Sequence, residues 1–236
     1  MVLFQMDPAR FITVYIVQLG MGIIYFLIGL LILKRDTKRL NQLFATFYLL
    51  SASATIINVI YVSLTINPWV KYLHILTFYL FCFAIVYLLI FNMILLKSEK
   101  VFPIKKHNLI ALIYGGLLFG LVFIPKGVTI DASTEWRPVW SLPFLIYALV
   151  VLTCCATVPT TYYSLQVYKK LENEELKKRW AFNIVAILGY FAILYLTSVS
   201  NYLNNPTFRL ITSIAGLSLF VTAYLLFYSV GRQIEK

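Results

Sequence analysis

The 236-residue chain is 61% hydrophobic and 17% aromatic, and only 12% of its residues are charged. A soluble domain is about 45–50% apolar and about 25% charged, and a fold of this size cannot hide such an excess from water. This composition excludes a soluble enzyme, a disordered chain and a disulfide-stapled secreted domain, and it assigns the chain to the integral membrane proteins. The formal net charge of +11 could suggest nucleic acid, but the basic residues fall in short stretches between apolar runs. Zinc fingers, RNA-binding aromatic motifs and a long basic helix are missing. The expected partners are the lipid bilayer and its anionic headgroups, with no nucleic acid.

In chain order, apolar runs occupy about 11–33, 43–66, 72–96, 109–125, 142–168, 181–203 and 210–231. A membrane-crossing helix needs roughly 17–25 such residues. The fourth run is near that minimum. The first follows the short stretch MVLFQMDPAR, shows no small-residue cleavage site and reads as a retained helix. The expected fold is all-α: a single polytopic domain of seven transmembrane helices over residues 1–236. Fifteen of the twenty basic residues fall on one side, in the loops after spans 1, 3 and 5 and in the tail that holds Arg232 and Lys236. Arg10, Lys71, Lys126, Arg137 and Arg209 fall on the other. The positive-inside rule then predicts a multi-pass protein of the plasma membrane, with the amino terminus outside and the carboxyl terminus cytoplasmic.

Trp69, Trp136, Trp140 and Trp180 all fall near span ends, where interfacial belts place tryptophan. The longest outer loop, 126–141, reads as an interfacial loop, with a cover over the bundle mouth as the alternative. Asn67, Pro68 and Lys71 before span 3 match Asn205, Pro206 and Arg209 before span 7. This suggests parallel triplets joined by span 4, a 3+1+3 arrangement; Asn-Pro is also ordinary helix-start chemistry that can arise twice.

All nine acids, from Asp7 and Asp36 to Glu235, fall in loops or tails, and no Lys or Arg lies in the centre of a span. Proton relays, pumps and voltage sensors normally need such charges. Span 7 has no lysine to anchor retinal. His74 and His107 lie at opposite faces and cannot share a metal, and Cys82, Cys154 and Cys155 read as small apolar packing. No HExxH, GxSxG or phosphate-binding glycine loop occurs. No enzyme activity, metal or cofactor is expected.

The polar groups that remain define the candidate sites. Ser51, Thr55 and Asn58 follow one another at i, i+4 and i+7, a stripe that must face the bundle as interhelical glue or as a cavity wall. His74 and Asn201, at outer helix ends, join it as candidate cavity residues. Pro159, among Thr153, Thr157, Thr160 and Thr161, should kink span 5 and is a candidate hinge. Gly116 and Gly120 form a GxxxG that serves either an internal contact or a homo-oligomer seam. Tyr79, Phe81, Phe83, Tyr87 and Phe91 on span 3 read as packing bulk, with an aromatic pocket as the alternative. Glu174 with Lys178, and Glu175 with Arg179, are i, i+4 pairs that extend span 5 or 6 into the cytoplasm.

The stretches LLILKRDTKRLNQLFATFYLL, YKKLENEELKKRWAFNIVAILGY and NPTFRLITSIAGLSLFVTAYLLFYSVGRQ resemble the seven-helix amino-terminal sensor region of membrane histidine kinases. The likeness is one of hydropathy and loop character over most of the chain. It departs in having no phosphoacceptor-histidine segment and no ATP-binding domain, so no catalytic residue carries over. The resemblance implies an input module whose output is a separate protein partner. The reading is therefore a receptor-like or sensory protein. A facilitative transporter of 3+1+3 architecture and a structural or assembly subunit are the alternatives.

Overall fold

The computed structural model describes residues 8–35 and 38–231. Asp7, Asp36, Arg232, Glu235 and Lys236, which the sequence places in loops or tails, lie outside the described residues. Seven helices are long and apolar enough to cross a membrane: α1 (Ile12–Arg35), α2 (Arg39–Val62), α3 (Trp69–Lys97), α4 (Ile104–Phe123), α5 (Leu142–Lys170), α6 (Glu174–Leu203) and α7 (Pro206–Val230). The protein is a polytopic membrane protein, and its large exposed aliphatic side chains, such as Leu112 and Ile113 of α4, match a lipid-facing surface.

The helix ends differ from the apolar runs where polar residues carry the helix onward. α2 starts at Arg39 and already ends at Val62. α6 starts at Glu174, capped by the Asn173 side chain, which accepts from the amides of Glu175 and Leu176. It is therefore α6 that projects beyond the apolar run. Glu175 pairs with Arg179 as expected, whereas Glu174 reaches Lys177 at 3.5 Å, one position short of the expected Lys178. The two Asn-Pro turns differ locally. Asn205 caps α7 by accepting from the Phe208 amide, but at the start of α3 the cap position is Pro68 and no side chain caps the helix.

α3 is the most enclosed helix and α4 the least. In the middle of the bundle, Tyr25, Phe44, Phe47, Tyr48, Phe91 and Tyr190 form one ring cluster through six edge-to-face or tilted contacts at 5.2–6.1 Å. The Tyr48 hydroxyl donates to the Ala223 carbonyl of α7 at 2.9 Å, which satisfies it in the dry core. Ser51 packs beside this cluster, 3.3 Å from the Tyr190 hydroxyl, which itself donates to the Phe81 carbonyl.

Pro159 has a visible effect. Residues Thr153–Thr157, immediately before it, form a widened π turn within α5. The proline has no N–H for the Cys155 carbonyl, and the extra residue in the turn absorbs the mismatch. The Thr153 and Thr157 hydroxyls hydrogen-bond Tyr195 of α6 at 2.7 and 2.9 Å.

The glycine pair on α4 splits. Gly116 faces open space with nothing within 4 Å of a Cβ placed there, while Gly120 lies against Tyr147 of α5. The close helix contact is made by Gly115, whose Cβ would lie 2.9 Å from the Tyr79 hydroxyl and 3.1 Å from the Phe83 ring. Gly116 thus serves no contact inside the bundle, because it is one residue, about 100° of helix, away from the packed face. Gly115→Val should destabilise the protein by about 1–3 kcal/mol through overpacking. Gly116→Ala should be neutral or stabilising by up to about 1 kcal/mol through helix propensity. Thermal unfolding in detergent measures both, and equal effects would contradict this assignment of faces.

Candidate functional site

The segment between α4 and α5 folds into the bundle. Val128–Thr129 (β1) pairs antiparallel with Val139–Trp140 (β2) in a short hairpin. Its tip is held by Asp131, whose carboxylate accepts from the amides of Ser133 and Thr134 and from the Ser133 hydroxyl. These bonds, the Ser133 hydroxyl first, hold the Asp131 carboxyl below its ordinary range. A depressed carboxylate pKa contributes stability at neutral pH that is lost only as pH falls through the depressed value. Glu135 and Trp136 both adopt left-handed backbone, at φ 51° and 57°, and turn the chain back over the bundle.

Trp140 is 2% exposed and Trp180 4%, so neither belongs to an interfacial belt. Trp140 packs edge-on against Phe78 and Phe144, at 4.9 and 4.8 Å. Its indole N–H donates to His74 Nε2 at 2.9 Å. Indole can only donate, so Nε2 must accept and the imidazole proton sits on Nδ1. Nδ1 then donates to the Tyr61 hydroxyl, 2.9 Å away. One buried histidine thus ties α2, α3 and the hairpin together. The loop 126–141 covers the bundle mouth, against the expectation of an interfacial loop, because its apolar residues Val128, Ile130 and Trp140 are drawn into the core.

Beneath the hairpin lies a cavity of about 180 Å³. Its wall comes from α1, α2, α3, α6, α7 and the hairpin, with no residue from α4 or α5. Four residues marked in the sequence, Thr55, Asn58, His74 and Asn201, line it; Ser51 does not. Asn58 and Asn201 are 5% and 8% exposed. Thr77 is 5% exposed, lines the same space, and its hydroxyl has no protein partner. A buried hydroxyl left unsatisfied costs about 1–3 kcal/mol, which marks this wall as built for something other than apolar packing.

Three arginines stand at the mouth. Arg10 donates to the carbonyls of Val62 and Glu135, and Arg209 donates to the Pro138 carbonyl at 2.7 Å and to Asn204 Oδ1. Arg137 pairs with the exposed Glu135 carboxylate at 2.6 Å. All three line the cavity, and no described lining residue is acidic. In the sequence, Arg10 and Arg137 stand out only through the charge bias of the loops, and Arg209 through that bias and the Asn-Pro match before span 7. Away from the mouth the wall is mostly apolar, with Val17, Met21, Phe78, Phe81, Leu194 and Leu219 beside the polar groups of Gln18, Thr55 and Tyr190. Phe81 is the one residue of the aromatic run on α3 that reaches it; Tyr79 and Phe83 stack against each other beside Gly115.

The site offers hydrogen bonds, positive charge and an apolar floor. Among the described residues no group of three or more His, Cys, Asp or Glu gathers as metal ligands would. Pro159 is outside the wall, but α6 carries cavity residues Tyr190, Ile193, Leu194 and Thr197 and also Tyr195, which grips the π turn before Pro159. Comparison of the chain with family models, with curated proteins and with solved structures finds no match.

Proposed function

We propose that the protein is a sensory, receptor-like membrane protein without enzymatic activity, whose ligand occupies the cavity under the hairpin. The observation that carries this reading is the form of that cavity. It combines buried polar side chains with an apolar floor at one end of the bundle, while the ring cluster around Tyr48 fills the bundle below it. By the charge bias of the loops, the hairpin end faces outward and the lysine-rich end faces the cytoplasm. The plasma membrane is the location that follows. A ligand can shift such a bundle only by binding its two states unequally. α6 is the element that supports such coupling, since it lines the cavity, holds the π turn of α5 through Tyr195, and projects its charged first turns at the other end. A cytoplasmic partner would meet that projection, as the likeness to sensor regions of membrane histidine kinases implies.

Facilitative transport is the second reading, and the recurrence of Asn-Pro before α3 and α7 favours it through a 3+1+3 arrangement. Access to the cavity separates the two. In a background with Cys82, Cys154 and Cys155 replaced, Asn58→Cys should react with a membrane-impermeant thiol reagent from the hairpin face only. Labelling from both faces of sealed vesicles would establish alternating access and replace the sensory reading with transport. Labelling from the lysine-rich face alone would mean that the cavity opens through the opposite end of the bundle and would overturn the sensory reading.

A further inference from the structure

We infer that the ligand of this cavity is a compact, uncharged molecule about one ring in size, with a hydroxyl or amide group that bonds the unpaired polar atoms of the wall. The inference rests on the cavity being the ligand site and adds the chemical class of what it holds.

The polar part of the ligand follows from groups that the fold leaves unpaired. Three hydroxyls of the wall close on carbonyls of their own helices: Thr55 on Ala52, Thr212 on Phe208 and Ser213 on Arg209. Any helical serine or threonine has that option. Thr77 does not take it: the residue is 5% exposed, and its hydroxyl has no protein partner. The side-chain oxygen of Gln18, on α1, is also buried without a partner. Both residues line the cavity, and Asn58 and Asn201 add their amides to the same wall. An amide oxygen only accepts, while a hydroxyl both donates and accepts. The matching ligand therefore brings an O–H or N–H donor together with an acceptor, which is the chemistry of an alcohol or an amide.

The lack of charge follows from the mouth. Arg10 bonds the carbonyls of Val62 and Glu135, Arg209 bonds the Pro138 carbonyl and Asn204, and Arg137 pairs with the Glu135 carboxylate. These bonds hold loop 126–141 over the bundle, so an anion would have to compete with the contacts that close the cavity. A cation would be buried beside three guanidinium groups with no acid among the described lining residues.

The size follows from volume. A void of about 150 Å³ accommodates benzene, so about 180 Å³ admits one ring with a short polar substituent. Phe78 and Phe81, with Val17, Met21, Leu194 and Leu219, offer that ring an apolar surface. A polyol would leave this surface without a match, and a lipid chain exceeds the volume.

Equilibrium binding of radiolabelled benzyl alcohol to the protein in phosphatidylcholine nanodiscs provides the test, with binding to protein-free nanodiscs subtracted. Binding should saturate, and unlabelled benzamide should compete with it. Ethylbenzene, benzoate and benzylammonium keep the ring and change only the polar end. They should compete more weakly by about tenfold or more, the factor that one hydrogen bond supplies. Thr77→Val should weaken benzyl alcohol binding about tenfold and leave ethylbenzene unaffected. It should not lower the unfolding midpoint, because the hydroxyl it removes has no protein partner. Gln18→Leu should weaken benzamide by a similar factor. Binding that does not saturate, competition by ethylbenzene or either ion equal to that of benzamide, or insensitivity to both substitutions would overturn the inference. So would a lowered midpoint for Thr77→Val, which would show its hydroxyl to be engaged within the protein. If Asn58→Cys labels from the hairpin face only and benzyl alcohol does not bind, the ligand class fails and the sensory reading stands. If labelling is two-sided and benzyl alcohol binds as expected, the sensory reading fails and the ligand class stands.

Discussion

Replacing Trp140 with alanine should lower stability by about 3–5 kcal/mol, the range for removing a large buried aromatic side chain. The indole fills the space between Phe78 and Phe144 and supplies the proton that His74 Nε2 accepts. Trp140→Phe separates the two contributions. It retains most of the packing but leaves one ring nitrogen of His74 without a partner in either tautomer, at a cost of about 1–3 kcal/mol. Thermal unfolding in detergent should therefore rank the chains wild type, Trp140→Phe, Trp140→Ala. The same substitutions should raise protease access to loop 126–141. An unfolding midpoint for Trp140→Ala equal to that of the wild type would mean that the hairpin does not belong to the core.

Tyr48→Ala should be comparably severe, about 3–5 kcal/mol. Tyr48 is fully enclosed, meets the rings of Tyr25, Phe44 and Phe47 at 5.2 Å, and anchors α7 through the Ala223 carbonyl. Phe119→Ala on α4 removes a ring of similar size that is 54% exposed and touches Phe123. Its effect should stay within about 0.5 kcal/mol. The pair tests which surface meets lipid, because in a membrane both kinds of residue are equally hydrophobic and only burial distinguishes them. If the two substitutions cost the same, the division between core and lipid face given by the structure is wrong.

The seven spans could be read from the sequence because the bilayer imposes one length and one polarity on every helix. Helix ends were harder to read. Arg39 and Glu174 are charged yet begin helices, since interfacial turns tolerate charge. Within the site, the spacing of Thr55 and Asn58 was enough to place them on an inward face, but the same spacing carried Ser51 along, although Tyr190 holds it away from the cavity. Hydropathy says nothing about a loop that folds inward, so Trp140 was assigned to the interface and Arg137 to a topology count. The one local signal was the Asp131 to Thr134 spacing of a capping box, which marks an ordered turn. Pro159 announced a disturbance in α5, yet the form it took depended on Tyr195 from another helix. Gly116 and Gly120 illustrate the limit of motif reading: spacing alone did not say that Gly120 would meet Tyr147 while Gly116 would face away from the bundle.

The weak enclosure of α4 has a consequence for biogenesis. It is the least hydropathic of the seven spans and has the smallest share of its surface inside the bundle. Alone in the translocation channel, it would partition into lipid with the smallest driving force of any span. Its retention then depends on Gly115 seated against Tyr79 and Phe83 and on the Tyr114 hydroxyl bonded to the Cys82 carbonyl. Helix α3 therefore has to be in place before α4 can settle, and the cover of the cavity is put in place only after α4 is in the membrane.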